Sequence, residues 1–133
     1  MASVRVKEYM VSQPVTVLHS ASIAEAARAI TEHRVSGVVV INEAGGVVGM
    51  LSELDCLGNL LSEAYNGQAM GGEAVAQVMT TPVTTCAADA DIISIAESML
   101  EYKQRRRPVV DQGKLVGQIT CRQLLGALLD FES

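Results

Sequence analysis

Apolar positions along the chain change period several times, and each change marks an element. Val6, Tyr9 and Met10 stand at i, i+3 and i+4, the spacing of a short helix ending at Met10; Val75, Val78 and Met79 repeat it. Pro14-Val15-Thr16 and Pro82-Val83-Thr84 each open a brief extended segment. Ser22, with Glu25 three residues on, reads as a capping box, and Asp91 takes the same N-cap place later in the chain. The helices that follow run to Glu32 and Glu101, with Ile23, Ala26, Ala27 and Ile30 on one apolar face and Ile92, Ile95, Ala96 and Met99 on the other. Val38 to Ile41 and Val109 to Val110 read as buried strands. A glycine turn follows each, then a second strand (Val47 to Leu51; Leu115 to Ile119), so each pair predicts a hairpin. A last helix begins after Ser52 and again after Thr120, carrying Leu54, Leu57, Leu60 and Leu61, or Leu124, Leu125, Leu128 and Leu129.

These are the same elements twice. At a shift of 69 residues Val6, Tyr9 and Met10 fall on Val75, Val78 and Met79, and Val39-Val40-Ile41-Asn42 falls on Pro108-Val109-Val110-Asp111. Register slips by one residue only in turns, where insertions cost little. The duplication divides the chain into a first repeat, 1–65, a linker, 66–74, marked by Asn66-Gly67 and Gly71-Gly72, and a second repeat, 75–133. Each repeat is a β-α-β-β-α unit, so the fold class is mixed α/β (α+β). A sheet of two or three strands cannot bury its open face alone. The expectation is two repeats packed sheet to sheet about a pseudo-twofold axis, with two similar clefts at the junction.

Composition supports a packed interior: 49% of the 133 residues are apolar and 19% charged, with no Trp and one Phe, so the core is aliphatic. The first residues lack a signal-peptide pattern, and no apolar run approaches the ~20 residues needed to span a bilayer. A cytoplasmic protein without membrane attachment is expected. Cys56, Cys86 and Cys121 form no C-x-x-C pair and fit neither a disulfide framework nor a zinc site. Cys121, at a helix start beside Arg122, is the one candidate for thiol chemistry. His19 and His33 lack metal-ligand spacing and read as surface or helix-end residues. A net charge of −5 argues against nucleic-acid binding, although Lys103, Arg105, Arg106 and Arg107 cluster within five positions.

The early P-V-T, the P-V-V-D-like strand and the G-x-h-S/T-x-x-D approach to the last helix (h, apolar) together resemble the cystathionine-β-synthase (CBS) domain, and two in tandem resemble a Bateman module. The match covers residues 4 to 130 and leaves no catalytic or DNA-binding domain. The resemblance implies adenine nucleotides or related adenosyl compounds (AMP, ADP, ATP or S-adenosylmethionine) bound in the clefts as regulatory ligands. No cofactor or metal is required. The implied nucleotide-binding residues are Thr16, Val17, Gly37, Val38, Val39, Ser52 and Asp55 in the first repeat, and Thr84, Thr85, Pro108 and Thr120 in the second. In this family Ser or Thr contacts phosphate and Asp holds the ribose hydroxyls. A homodimer through the leucine-rich final helices and an unidentified regulated protein are further implications.

Two features keep alternatives open. Ser52-Glu53-Leu54-Asp55 is also what a helix N-terminus looks like without any ligand, Ser52 as N-cap and Asp55 as capping-box acid. The second repeat reads Thr120-Cys121-Arg122-Gln123, which keeps the capping box and loses the carboxylate. Arg106 and Arg107 stand where the first repeat has Gly37-Val38, and guanidinium groups there suit phosphate. The expectation is a division of labour, with a carboxylate-bearing cleft near Asp55 and a phosphate-attracting one near Arg106 and Arg107. The competing class is a non-catalytic scaffold whose clefts stay empty. An enzyme is disfavoured, since no nucleophile–base pair or phosphate-binding glycine loop is present.

Overall fold

A computed structural model describes residues 4–131. In chain order the elements are β1 (Val11–Ser12), β2 (Thr16–Leu18), α1 (Ile23–His33), β3 (Gly37–Ile41), β4 (Val47–Ser52), α2 (Glu53–Tyr65), β5 (Cys86–Ala87), α3 (Ile92–Glu101), β6 (Arg106–Asp111), β7 (Lys114–Thr120) and α4 (Cys121–Asp130). They gather into two compact units. A central unit comprises Val15–Val83, and a terminal unit joins Met1–Pro14 to Thr84–Ser133. The mixed sheet-plus-helix architecture is the one the two repeats predict.

In the central unit β2 runs parallel to β3, and β3 antiparallel to β4. Thr80 extends the β4 edge through reciprocal backbone bonds with Met50, at 3.0 and 2.8 Å. Ser22 caps α1 as its sequence predicts: Ser22 Oγ accepts from the Glu25 N–H at 3.1 Å and Glu25 Oε1 accepts from the Ser22 N–H at 3.4 Å. The helices bury Ile23, Ala26, Ile30 and Cys56 against Val38, Val40 and Leu51 of the sheet, with Val75 completing the core.

The terminal unit repeats this plan in the sheet order β1-β7-β6-β5. Its core is Cys86, Ile92, Met99, Val109, Ile119, Leu124 and Ala127, closed by Val6. Val6 comes from the head of the first repeat and Val75 from the head of the second. Each head therefore lies in the core built by the other repeat's strands and helices. Burying one such valine is worth about 1.5–3 kcal/mol. Backbone bonds fix the exchange, since Val6 N–H donates to Ala90 O at 2.9 Å and Val75 N–H to Ala21 O at 2.8 Å.

The heads differ from the helices their spacing predicts. Each is a single 3-10 turn, Val6–Glu8 or Val75–Gln77. The apolar set at i, i+3 and i+4 fits one tight turn as well as an α-helix, and here the chain leaves at once to pair with a sheet edge. β6 also begins earlier than predicted, at Arg106, because its first two residues are charged and read as turn.

Candidate ligand-contacting faces

The pleat sorts the expected residues. Partners across a ladder share a face of the sheet, and consecutive residues alternate. In the central unit Thr16 pairs with Val39, Val39 with Met50, and Gly37 with Ser52. These share the face away from α1 and α2. Val17 and Val38 point the other way, into the helix-packed core, where Val38 is 1% exposed. Of the expected residues, Val17 and Val38 thus have their side chains on the helix side of the sheet, and Gly37 and Val39 lie on the opposite side.

Ser52 is the N-cap of α2. Its Oγ accepts from the Asp55 N–H at 3.0 Å, while Asp55 Oδ2 accepts from the Ser52 N–H at 2.9 Å. Both readings of S-x-x-D thus coexist: the box fixes Asp55 at the helix start, and its Oδ1 takes no donor among the described residues. Glu53 N–H donates to Ser36 O at 2.9 Å, tying the start of α2 to the start of β3. A surface cavity of about 360 Å³ lies on the helix side of this end, lined by Ile30, Thr31, Arg34, Val35, Ser36 and Glu53. It contains none of the expected residues, although Ser36 and Glu53 are chain neighbours of Gly37 and Ser52. Sequence reasoning did not single out this cavity, because its walls come from the ends of two helices.

In the terminal unit Arg106 pairs with Thr120 and Pro108 with Gln118, on the face away from the helices. Cys86 pairs with Val109 as Val17 does with Val40, so Thr85, not Thr84, is the counterpart of Thr16. Thr120 caps α4 in a box with Gln123, whose Oε1 accepts from the Thr120 N–H at 3.0 Å.

Arg107 is the largest departure. It pairs with Ile119 on the core side and is 3% exposed, whereas its neighbour Arg106 lies on the other side of the sheet. Its Nη1 donates to Ser98 Oγ at 3.0 Å, and its Nε donates to Gln104 Oε1 at 3.1 Å, with Nη2 on the same oxygen. Burial pushes the Cys86 thiol above its ordinary pKa and the Arg107 charge partly opposes this; burial also raises the Cys56 thiol, with the Asp55 charge adding. Cys121 is exposed, and its Sγ donates to Gln104 O at 3.6 Å.

His19 Nε2 lies 3.3 Å from both oxygens of Glu43. The Glu43 carboxyl sits below its ordinary pKa through a backbone hydrogen bond and the His19 contact. Among the described residues no group of three or more His, Cys, Asp or Glu side chains could hold a metal ion. No described helix is long and apolar enough to cross a membrane.

Comparison with known proteins agrees with this layout. The CBS domain family profile matches twice, over residues 6–62 and 75–130. The CBS domain-containing protein YhcV of Bacillus subtilis is 30% identical over 128 residues, covering 96% of this chain and 88% of its own length. The protein MK0525 of Methanopyrus kandleri is 30% identical over 94% of this chain, which spans 63% of that relative. Among solved structures, CBSX2 in complex with AMP superposes with a TM-score of 0.83 at 28% identity, covering 98% of this chain and all of that one. The chain therefore belongs to the CBS domain family, as two CBS domains in tandem.

Proposed function

We propose that this protein is a cytoplasmic regulatory module that binds adenosine nucleotides or adenosyl compounds and controls a partner protein. The observation that carries the reading is the full-length likeness to CBSX2, a CBS-pair protein solved with AMP. The outward face of the central unit supports it. Thr16 and Gly37 are part-exposed on this face beside the buried Val39, a small surface for a base, with Ser52 and Asp55 at its edge. A carboxylate oxygen can accept from ribose hydroxyls, and the N-terminus of α2 favours an anion. In the terminal unit the proposed counterparts are Thr85, Arg106 and Thr120 with the buried Pro108 between them, and Thr84 is the chain neighbour before Thr85. The module does no chemistry in this reading; ligand binding shifts its packing with the regulated protein, by no more than the ligand's differential affinity for the two states.

We further propose a homodimer through the final helices. Leu54, Leu57 and Leu61 of α2 are 75%, 60% and 62% exposed, and Leu125 and Leu129 of α4 are 63% and 66% exposed. Such apolar stripes mark interaction surfaces.

Native mass spectrometry of the purified protein, followed by thermal shift with adenosine, AMP, ADP, ATP and S-adenosylmethionine, tests both. The expected results are a dimer mass and, for at least one compound, stabilisation of ~2.7 kcal/mol at a hundred times its Kd. No shift with any of the five rejects ligand sensing and leaves a scaffold with empty sites. A monomer mass rejects the helix interface.

A further inference from the structure

Arg107 belongs to a coherent replacement. At the repeat shift, Ser98, Gln104 and Arg107 stand where the first copy has Ala29, Val35 and Val38. Val35 and Val38 pack in the central core. In the terminal unit the same three places hold a polar triad, with Arg107 donating to Ser98 Oγ and Gln104 Oε1. Ser98 and Gln104 supply the acceptors that the buried guanidinium needs, so the three polar residues act together.

The triad puts a guanidinium where its sister repeat shows that plain packing suffices. A buried charge with no opposite partner costs several kcal/mol. Arg107 has no carboxylate partner among the described residues; its acceptors are a neutral hydroxyl and a neutral amide. The positive charge thus has no paired carboxylate, and it lies one residue from Arg106 and one strand from Thr120, which share the other face.

The charge of the chain is divided in the same sense. The central unit carries two basic side chains, Arg28 and Arg34, against seven acidic ones, and so accounts for the whole net charge of −5. The terminal unit carries eight of each and is neutral. A polyphosphate is repelled by the first and not by the second.

We infer that Arg107 is a specificity-determining residue that makes the terminal unit select anionic, polyphosphate-bearing adenosine ligands. It acts through its fixed charge from behind the sheet and does not touch the ligand. The central unit, with Asp55 and its net negative charge, is left to ligands of low or no negative charge. This rests on the proposed ligand-sensing function.

The test is calorimetric titration of the full chain with adenosine, AMP and ATP at two salt concentrations, for the wild type and for the triple variant Ser98→Ala, Gln104→Val, Arg107→Val. That variant copies the apolar solution of the first repeat and should keep or raise the denaturation midpoint. ATP affinity should fall about tenfold, the scale of one unit charge acting through a partly wet boundary, and its salt dependence should weaken, with adenosine unchanged. Ser98→Ala, which removes one neutral acceptor and keeps the guanidinium, should retain the ATP preference. Unchanged ATP affinity in the triple variant, an equal loss for adenosine and ATP, or a loss of ATP preference in Ser98→Ala would each overturn the inference. A wild type that binds none of the three overturns the proposed function itself, a distinct result.

Discussion

A Cβ placed on Gly117 would lie 2.5 Å from the sulfur of Met10 and 2.9 Å from the Val11 carbonyl oxygen. On Gly49 it would meet the Met79 side chain, Sδ first and then Cγ at 2.8 Å. Both glycines sit on the core side of their sheets, so each gap is filled by a methionine arriving from the other repeat's head. The two sites should respond differently to alanine. Met79 has three rotatable bonds and can withdraw, whereas the Val11 carbonyl is pinned in the β1–β7 ladder. Gly117→Ala should therefore cost about 1–3 kcal/mol, as overpacking does, and Gly49→Ala distinctly less. Urea midpoints of the two variants check the order, and an equal loss would mean that the ladder yields as easily as a side chain. The sequence shows Gly49 and Gly117 as repeat equivalents, and Met10 and Met79 as apolar helix positions. It does not show that each methionine is paired with the other copy's glycine. Arg107 is a second case: its spacing beside Arg106 reads as a doubled phosphate contact, and only the strand register turns it inward.

At the scale of elements, the capping boxes raise a separable question, because Ser52 and Asp55 both build α2 and edge the outward face. Ser52→Ala removes the acceptor for the Asp55 N–H and should cost about 1 kcal/mol of stability. Asp55→Asn keeps an amide oxygen for the Ser52 N–H, so its stability loss should be smaller. Its adenosine affinity should nevertheless fall about tenfold, since a neutral amide replaces a charge-assisted acceptor of ribose hydroxyls. Denaturation and titration of the pair separate the roles, and an Asp55→Asn variant with wild-type affinity would leave Asp55 a cap alone. Helices were the most legible elements, because α1 and α3 combine a 3.6-residue apolar period with an N-cap residue. Hairpins followed from their glycine turns. The short heads were less legible, since three apolar residues cannot distinguish a 3-10 turn from an α-helix. The facing of Val17 and Val38 is not legible in the sequence, because a continuous apolar run carries no alternation to show which side faces the core.

For the whole molecule, the exchange of heads decides which pieces can stand alone. The repeats divide the chain near residues 66–74, yet the compact units divide it at Pro14 and Val83. The segment Val15–Val83 is continuous and holds its entire core, including Val75 and the Thr80 edge pairing. The second repeat alone, 75–133, lacks Val6, the β1 edge strand and the backbone bonds from Val6 and Lys7 to Ala90 and Ala88, at 2.9 and 2.8 Å. It also carries an unused head, with Val75 and Met79 cut off from the core they fill. A fragment of 15–83 should give a cooperative urea transition, and a fragment of 75–133 should give none. Joining 1–14 to the chain end of 84–133 by a flexible linker should restore cooperativity to the second piece, because it returns the missing strand and one buried valine worth about 1.5–3 kcal/mol. Circular dichroism of the three fragments under denaturant decides the matter. If 75–133 folds unaided as well as the linked piece, the heads are interchangeable decoration and each repeat is complete in itself. If only the linked piece folds, duplication has left two units that cannot be separated at the sequence boundary that created them.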